Sequence, residues 1–220
     1  ASFAFSDFDD TDVATVANVR PIYTLLNELE IRATKTVWSL DCPEGSRLFS
    51  TSETLEDDDY RKFVLELDRL GFEIAWHGAT MESSERERTI RGLAKFRRIL
   101  GRYPASYANH AFNRENVYWG RARFDDPLIR TAYRWVEPAP SGHYRGHDPD
   151  SSYWWGDLCR EHIRYVRNLT FDEINVLKVN PSMPYHDPTR PWVRYWFSAS
   201  DADRVEDFNR MLAPESQDRL

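Results

Sequence analysis

Only two cysteines occur among the 220 residues, Cys42 and Cys159, and they lie far apart. That excludes a disulfide-stapled scaffold and the close Cys pairs of a zinc knuckle. No apolar run approaches the ~20 residues of a membrane-spanning helix. No charged-then-apolar leader opens the chain at Ala1, so a cytoplasmic protein without a signal peptide is expected. No basic run stands out either. Lys and Arg number 29 against 36 Asp and Glu, a net charge of -7, which argues against a nucleic-acid phosphate partner. Internal repeats and low-complexity linkers are missing too, and the length suits one domain spanning 1–220.

What is present is a globular composition, 41% hydrophobic and 14% aromatic. Short apolar segments alternate with amphipathic ones. Ser2 to Phe8 reads as a strand. Residues 15–29 read as a helix that Pro21 could open, and "IRATKTVWSL" reads as a strand. Tyr60, Phe63, Val64, Leu67 and Leu70 mark a helix stopped by Gly71. "FEIAWH" is strand-like, and "SSERERTIRGLAKFRRIL" has a serine cap, early acids and late bases, closed by Gly101. "SYANHAF" follows as a strand. Later, "DDPLIRTAYRWV" and "GDLCREHIRYVRNL" read as helices, "INVLKVN" and "WVRYWFSAS" as strands, and "DADRVEDFNRML" as a closing helix. Repeated strand-then-helix units predict an α/β fold with a parallel sheet, as a barrel or a doubly wound sheet.

The first strand ends in a cluster of carboxylates, "SDFDDTD" at 6–12. Like charges this close repel and are costly to desolvate, so the cluster is a solvated turn, a metal site or a phosphoryl-transfer nucleophile. In parallel folds chemistry sits beyond the carboxyl ends of the strands. Those ends carry Asp9 and Asp10, Ser39 and Asp41, His77, then Asn109 and His110. Carboxylates and imidazoles from separate strands form a donor set that zinc accepts.

Three segments together resemble the polysaccharide deacetylases: "FDD" (8–10) closing the first strand, "IRATKTVW" (31–38) and "LGFEIAWH" (70–77). The resemblance covers roughly the first half of the chain. It implies a distorted or incomplete (β/α) barrel that hydrolyses N- or O-linked acetyl groups on a carbohydrate, such as a bacterial surface polysaccharide or its precursor. It also implies a divalent metal, with zinc the expected ion. Carried over residue by residue, Asp9 would be the general base, and Asp10 and His77 metal ligands.

The chain departs from that family at marked places. Met81 stands where the second metal histidine would be, and Thr11 where the family has Gly. "YANHA" (107–111) lacks the arginine of the base-orienting segment, and "VLKVN" ends in Asn180 where the acid histidine would stand. Two residues that no family motif implies are placed to compensate: His110 as the third metal ligand, and His186 as the acid that protonates the leaving group. Asn109 and Trp76 are the expected substrate contacts. His143 and His147, flanked by glycines, read as a surface turn, and His162 as core. Two other readings remain open at this point. Asp7, Asp9 and Thr11 fit the Asp-x-Asp-x-Thr pattern of haloacid-dehalogenase phosphatases, with Asp7 as nucleophile and magnesium bound beside it. A deacetylase-like scaffold that only binds glycan through its aromatic residues is the third.

Overall fold

The computed structural model describes residues 7–46, 52–135, 142–172 and 180–201. Six strands form one sheet in the order β1 (Phe8–Asp9), β2 (Thr34–Trp38), β3 (Glu73–Gly78), β4 (Ser106–Ala108), β5 (Tyr165–Asp172) and β6 (Tyr195–Asp201), every neighbouring pair parallel. Parallel neighbours require crossovers. The first three are the helices α1 (Val16–Glu28), α2 (Asp58–Arg69) and α3 (Arg86–Leu100). A 3-10 turn (Gly120–Arg123), α4 (Pro127–Tyr133) and α5 (Gly156–His162) lie between β4 and β5.

The sheet curls into a half-barrel. Flat, six strands would hold their edges about 24 Å apart. Instead Phe8 on β1 and Phe197 on β6 bring their rings to 5.5 Å, and the Arg167 guanidinium on β5 lies 5.2 Å from the Phe8 ring. These side chains line the concave face. The convex face carries the register-aligned row Val37, Trp76, Tyr107, Val166 and Trp196. All five are buried, and Trp155 at the start of α5 packs edge-on against Trp76 and Tyr107. The apolar faces of α1, α2 and α3 complete this core through Tyr23, Phe63, Leu67, Leu93 and Phe96.

Several expectations are corrected. Pro21 does not open α1. Thr15 caps the helix, its side chain accepting from Asn18 N while the Asn18 side chain returns to Thr15 N, and Pro21 sits inside. The cap of α3 is Glu85 rather than a serine. "GDLCREHIRYVRNL" is not one helix: α5 ends at His162, and Tyr165 N donates to Ala105 O as β5 takes up pairing with β4. β4 is only three residues long, for a reason found in Asn109 below. The expected strands over 2–6 and 174–179 and the closing helix lie outside the described residues. Among the described residues, no helix is long and apolar enough to cross a membrane.

Candidate metal centre

Strand alternation decides which of the clustered carboxylates meet the histidines. Phe8 faces the concave side, so Asp9 is turned to the convex side and Asp10 back again. Asp9 lies beneath α1, with its Oδ2 accepting from Tyr23 Oη at 2.9 Å and paired at 3.0 Å with the fully buried Lys35 ammonium. It is therefore a structural anion, and the structure does not bring it to the site as a base. The loop that follows is pinned: Thr11 Oγ1 lies 3.2 Å from Tyr60 Oη, and Ser52 Oγ donates to the Thr11 and Asp12 carbonyls.

His77 reaches the same place through a bulge. Val37 is opposite Trp76 but Trp38 is opposite Gly78, so His77 is the extra residue of β3 at its carboxyl end. Gly78 lies at φ +143°, and a Cβ there would stand 3.0 Å from the Trp38 ring. That ring packs 4.5 Å from His77 and 5.0 Å from His110, and so fixes both imidazoles.

The result is a convergent cluster. His77 Nε2 stands 2.6 Å from Asp10 Oδ1 and 3.1 Å from Asp12 Oδ1, and His110 Nε2 stands 3.4 Å from that same Asp12 oxygen. Asp12, His77 and His110 offer ligand atoms that all lie within 4.8 Å of one another, a grouping that could hold a metal ion. Arg167 Nη2 donates to Asp10 Oδ2 at 2.9 Å. Burial alone would raise both carboxyls. His77 and Arg167 beside Asp10, and His110 and His77 beside Asp12, instead hold them well below the usual carboxylate range. Burial opposes charge on His77, but its bonds to Asp10 and Asp12 prevail and raise its pKa.

The donor set suits a borderline divalent ion: two imidazole nitrogens and a carboxylate, with Asp10 adjacent. The outer shell is unusual. The Nδ1 atoms of both histidines are buried without a hydrogen-bond partner among the described residues. With an ion on Nε2 those atoms would carry the ring protons, and packing against Trp38 would do the orienting work that a carboxylate usually does.

The other expected site residues lie elsewhere. Trp76 is 1% exposed on the convex face, its Nε1 donating to Ser39 Oγ, and is core rather than a substrate contact. Asn109 is 2% exposed and spends its amide on the Val117 backbone. His186 sits at the amino end of β6, with Nδ1 2.8 Å from Arg194 O. The site forms at the strands' carboxyl ends, so His186 is no leaving-group acid here. Asp7 precedes β1, its carbonyl accepting from Thr34 N, and so does not stand beyond the strand end where a phosphoryl-transfer nucleophile works. His147 lies in a turn, as expected, but is half-buried there: its Nδ1 accepts from Tyr118 N, and burial lowers its pKa to about 4. His162 stacks on Tyr103 at 3.6 Å.

Sequence reasoning missed Asp12 and Arg167. The signal for Asp12 was its i, i+2 spacing from Asp10. Arg167 was hidden inside the segment read as helix.

Comparison with known proteins supplies no relative: no family model matches the chain, no curated protein matches it, and no solved structure matches it.

Proposed function

We propose that this chain is a metal-dependent hydrolase of the polysaccharide deacetylase type, removing N- or O-linked acetyl groups from a carbohydrate. The observation that carries this reading is the convergence of two imidazole Nε2 atoms and Asp12 Oδ1 at the carboxyl ends of β1, β3 and β4. Asp12, His77 and His110 would hold the ion, with zinc the expected one. When bound, the ion supplies Lewis acidity toward an acetyl carbonyl and lowers the pKa of a nearby water.

The protein's own residues do the rest. With His77 Nε2 given over to the ion, Asp10 Oδ1 would lose the bond that now lowers its proton affinity, so that Asp10, rather than Asp9, takes the proton as water oxygen adds to the carbonyl carbon. It returns that proton to the amine or alcohol as the carbon–nitrogen or carbon–oxygen bond breaks. Arg167 holds the second Asp10 oxygen, so that the first stays aimed at the cluster. Met81 is no ligand in this account, because His110 supplies the nitrogen the family takes from that position.

The test is acetate release from acetylated chitooligosaccharides and acetylated xylan, with the chelated protein and after zinc is restored. Zinc-dependent release supports the reading, and Asp10→Asn should then lose roughly a hundredfold or more in turnover while still binding zinc. Zinc-loaded protein that binds these glycans without releasing acetate would point to a binding scaffold instead.

A further inference from the structure

The loop after β4 carries His110, and its geometry is set by an exchange of amides. Asn109 Oδ1 accepts from Val117 N at 3.0 Å, and Asn109 Nδ2 donates to Val117 O at 3.3 Å. Asn116 does the same in return: its Oδ1 accepts from His110 N at 3.2 Å and its Nδ2 donates to His110 O at 2.6 Å. Each side chain thus bonds the backbone of the residue next to its counterpart, as a strand partner would. This explains why β4 stops at Ala108, since side-chain amides displace the ladder.

Both amides are buried, Asn116 completely. Asn113 N also donates to His110 O, and Asn116 N to Asn113 O, closing a turn inside the clasp. Asn113 Nδ2 lies within hydrogen-bond reach of the carbonyls of Thr80 and Glu82, in the loop that follows His77. The two histidine-bearing loops are therefore tied to each other by a side-chain amide on backbone carbonyls as well as by the contact between their imidazoles, whose centroids lie 5.2 Å apart.

Resting on the metal reading above, we infer that Asn116 is a positioning residue that sets how far the His110 imidazole reaches toward Asp12 and His77. Among the described residues the imidazole has no hydrogen-bond partner at Nδ1 that could aim it. Beyond its packing on Trp38 and His77 and its reach to Asp12, the ring is aimed by its backbone, and Asn116 holds that backbone at both its donor and its acceptor. Asn116→Asp keeps the acceptor but sets a carboxylate oxygen against His110 O, and Asn116→Ser removes both bonds.

The experiment measures zinc affinity by chelator competition and the visible spectrum of the cobalt(II) form, for the wild type and both variants. Near-UV circular dichroism reports on folding. The expected result is folded variants with zinc binding weakened roughly ten- to hundredfold and an altered cobalt spectrum. A spectral change separates a displaced ligand from a loss of stability alone. Folded variants with wild-type affinity and spectrum would overturn the positioning role while leaving the site reading intact. A wild type that takes up neither metal would overturn both. If both variants fail to fold, the proposal also falls, because the amide then sustains the fold rather than the imidazole.

Discussion

Asp9 and Asp10 are neighbours with opposite duties, and the difference lies in the pleat of a two-residue strand. Asp9 faces the fully buried Lys35, so Asp9→Asn leaves an ammonium without its counter-charge. Breaking a buried pair costs several kcal/mol, but Asp9 is itself 27% exposed. A loss of roughly 1–3 kcal/mol is therefore expected in urea unfolding, with zinc binding retained. A second residue, Glu115, carries a pH signature. It is buried, and burial pushes its carboxyl up to about 8, although Ser84 N and the Asn113 amide favour the charged form. Because the folded chain binds this proton more tightly than the unfolded chain, its effect on stability is largest at high pH. Stability falls as pH rises from the ordinary value of 4.5 toward 8. Glu115→Gln should flatten that slope, gaining on the order of a few kcal/mol over the wild type near pH 8 and almost nothing at pH 4. Denaturant midpoints across that range check it, and parallel curves for the two proteins would contradict it.

Elements place the histidines only as accurately as they pack. α3 lies against the loop leaving β3, and Gly92 is the point of closest approach. A Cβ there would stand 2.8 Å from Ala79 Cβ and 2.9 Å from Ala79 Cα. Helix propensity alone makes Gly92→Ala favourable by about 1 kcal/mol. Overpacking against backbone costs typically 1–3 kcal/mol, and it prevails because an adjacent Cα cannot step aside as a long side chain can. A net loss of up to about 2 kcal/mol in thermal or urea unfolding is expected, and a stabilised variant would show that the two elements have more room. The same scale shows what was legible in the sequence. The first three helices announced themselves by apolar spacing, and β2 and β3 by β-branched and aromatic runs. The α5–β5 boundary did not, because "IRYVRNL" satisfies a helical face as well as a strand. Only pairing with β4, through Tyr165 to Arg167, settles it. β4 was overextended because side-chain amides that replace a ladder leave no mark in local propensity.

At the scale of the whole molecule, strand-end logic holds: Asp10, His77 and His110 come from different strands and meet because parallel strands share a carboxyl end. What that logic could not give was the face each residue takes. In the sequence Asp9 and Asp10 read together at one strand end, and the family pattern assigns the base to Asp9; the pleat of the placed strand separates them. The curl of the sheet, which brings Arg167 of β5 against Asp10 beyond β1, depends on tertiary contacts 157 residues apart in sequence. The proposed chemistry depends on an ion in that cluster. The most direct measurement is zinc content by mass spectrometry after incubation with zinc and gel filtration, on the wild type and His110→Ala. Roughly one zinc per wild-type chain is expected, and far less in the variant, since one histidine and one carboxylate rarely hold the ion. A wild type that emerges free of metal, or a His110→Ala protein loaded as fully as the wild type, would contradict it.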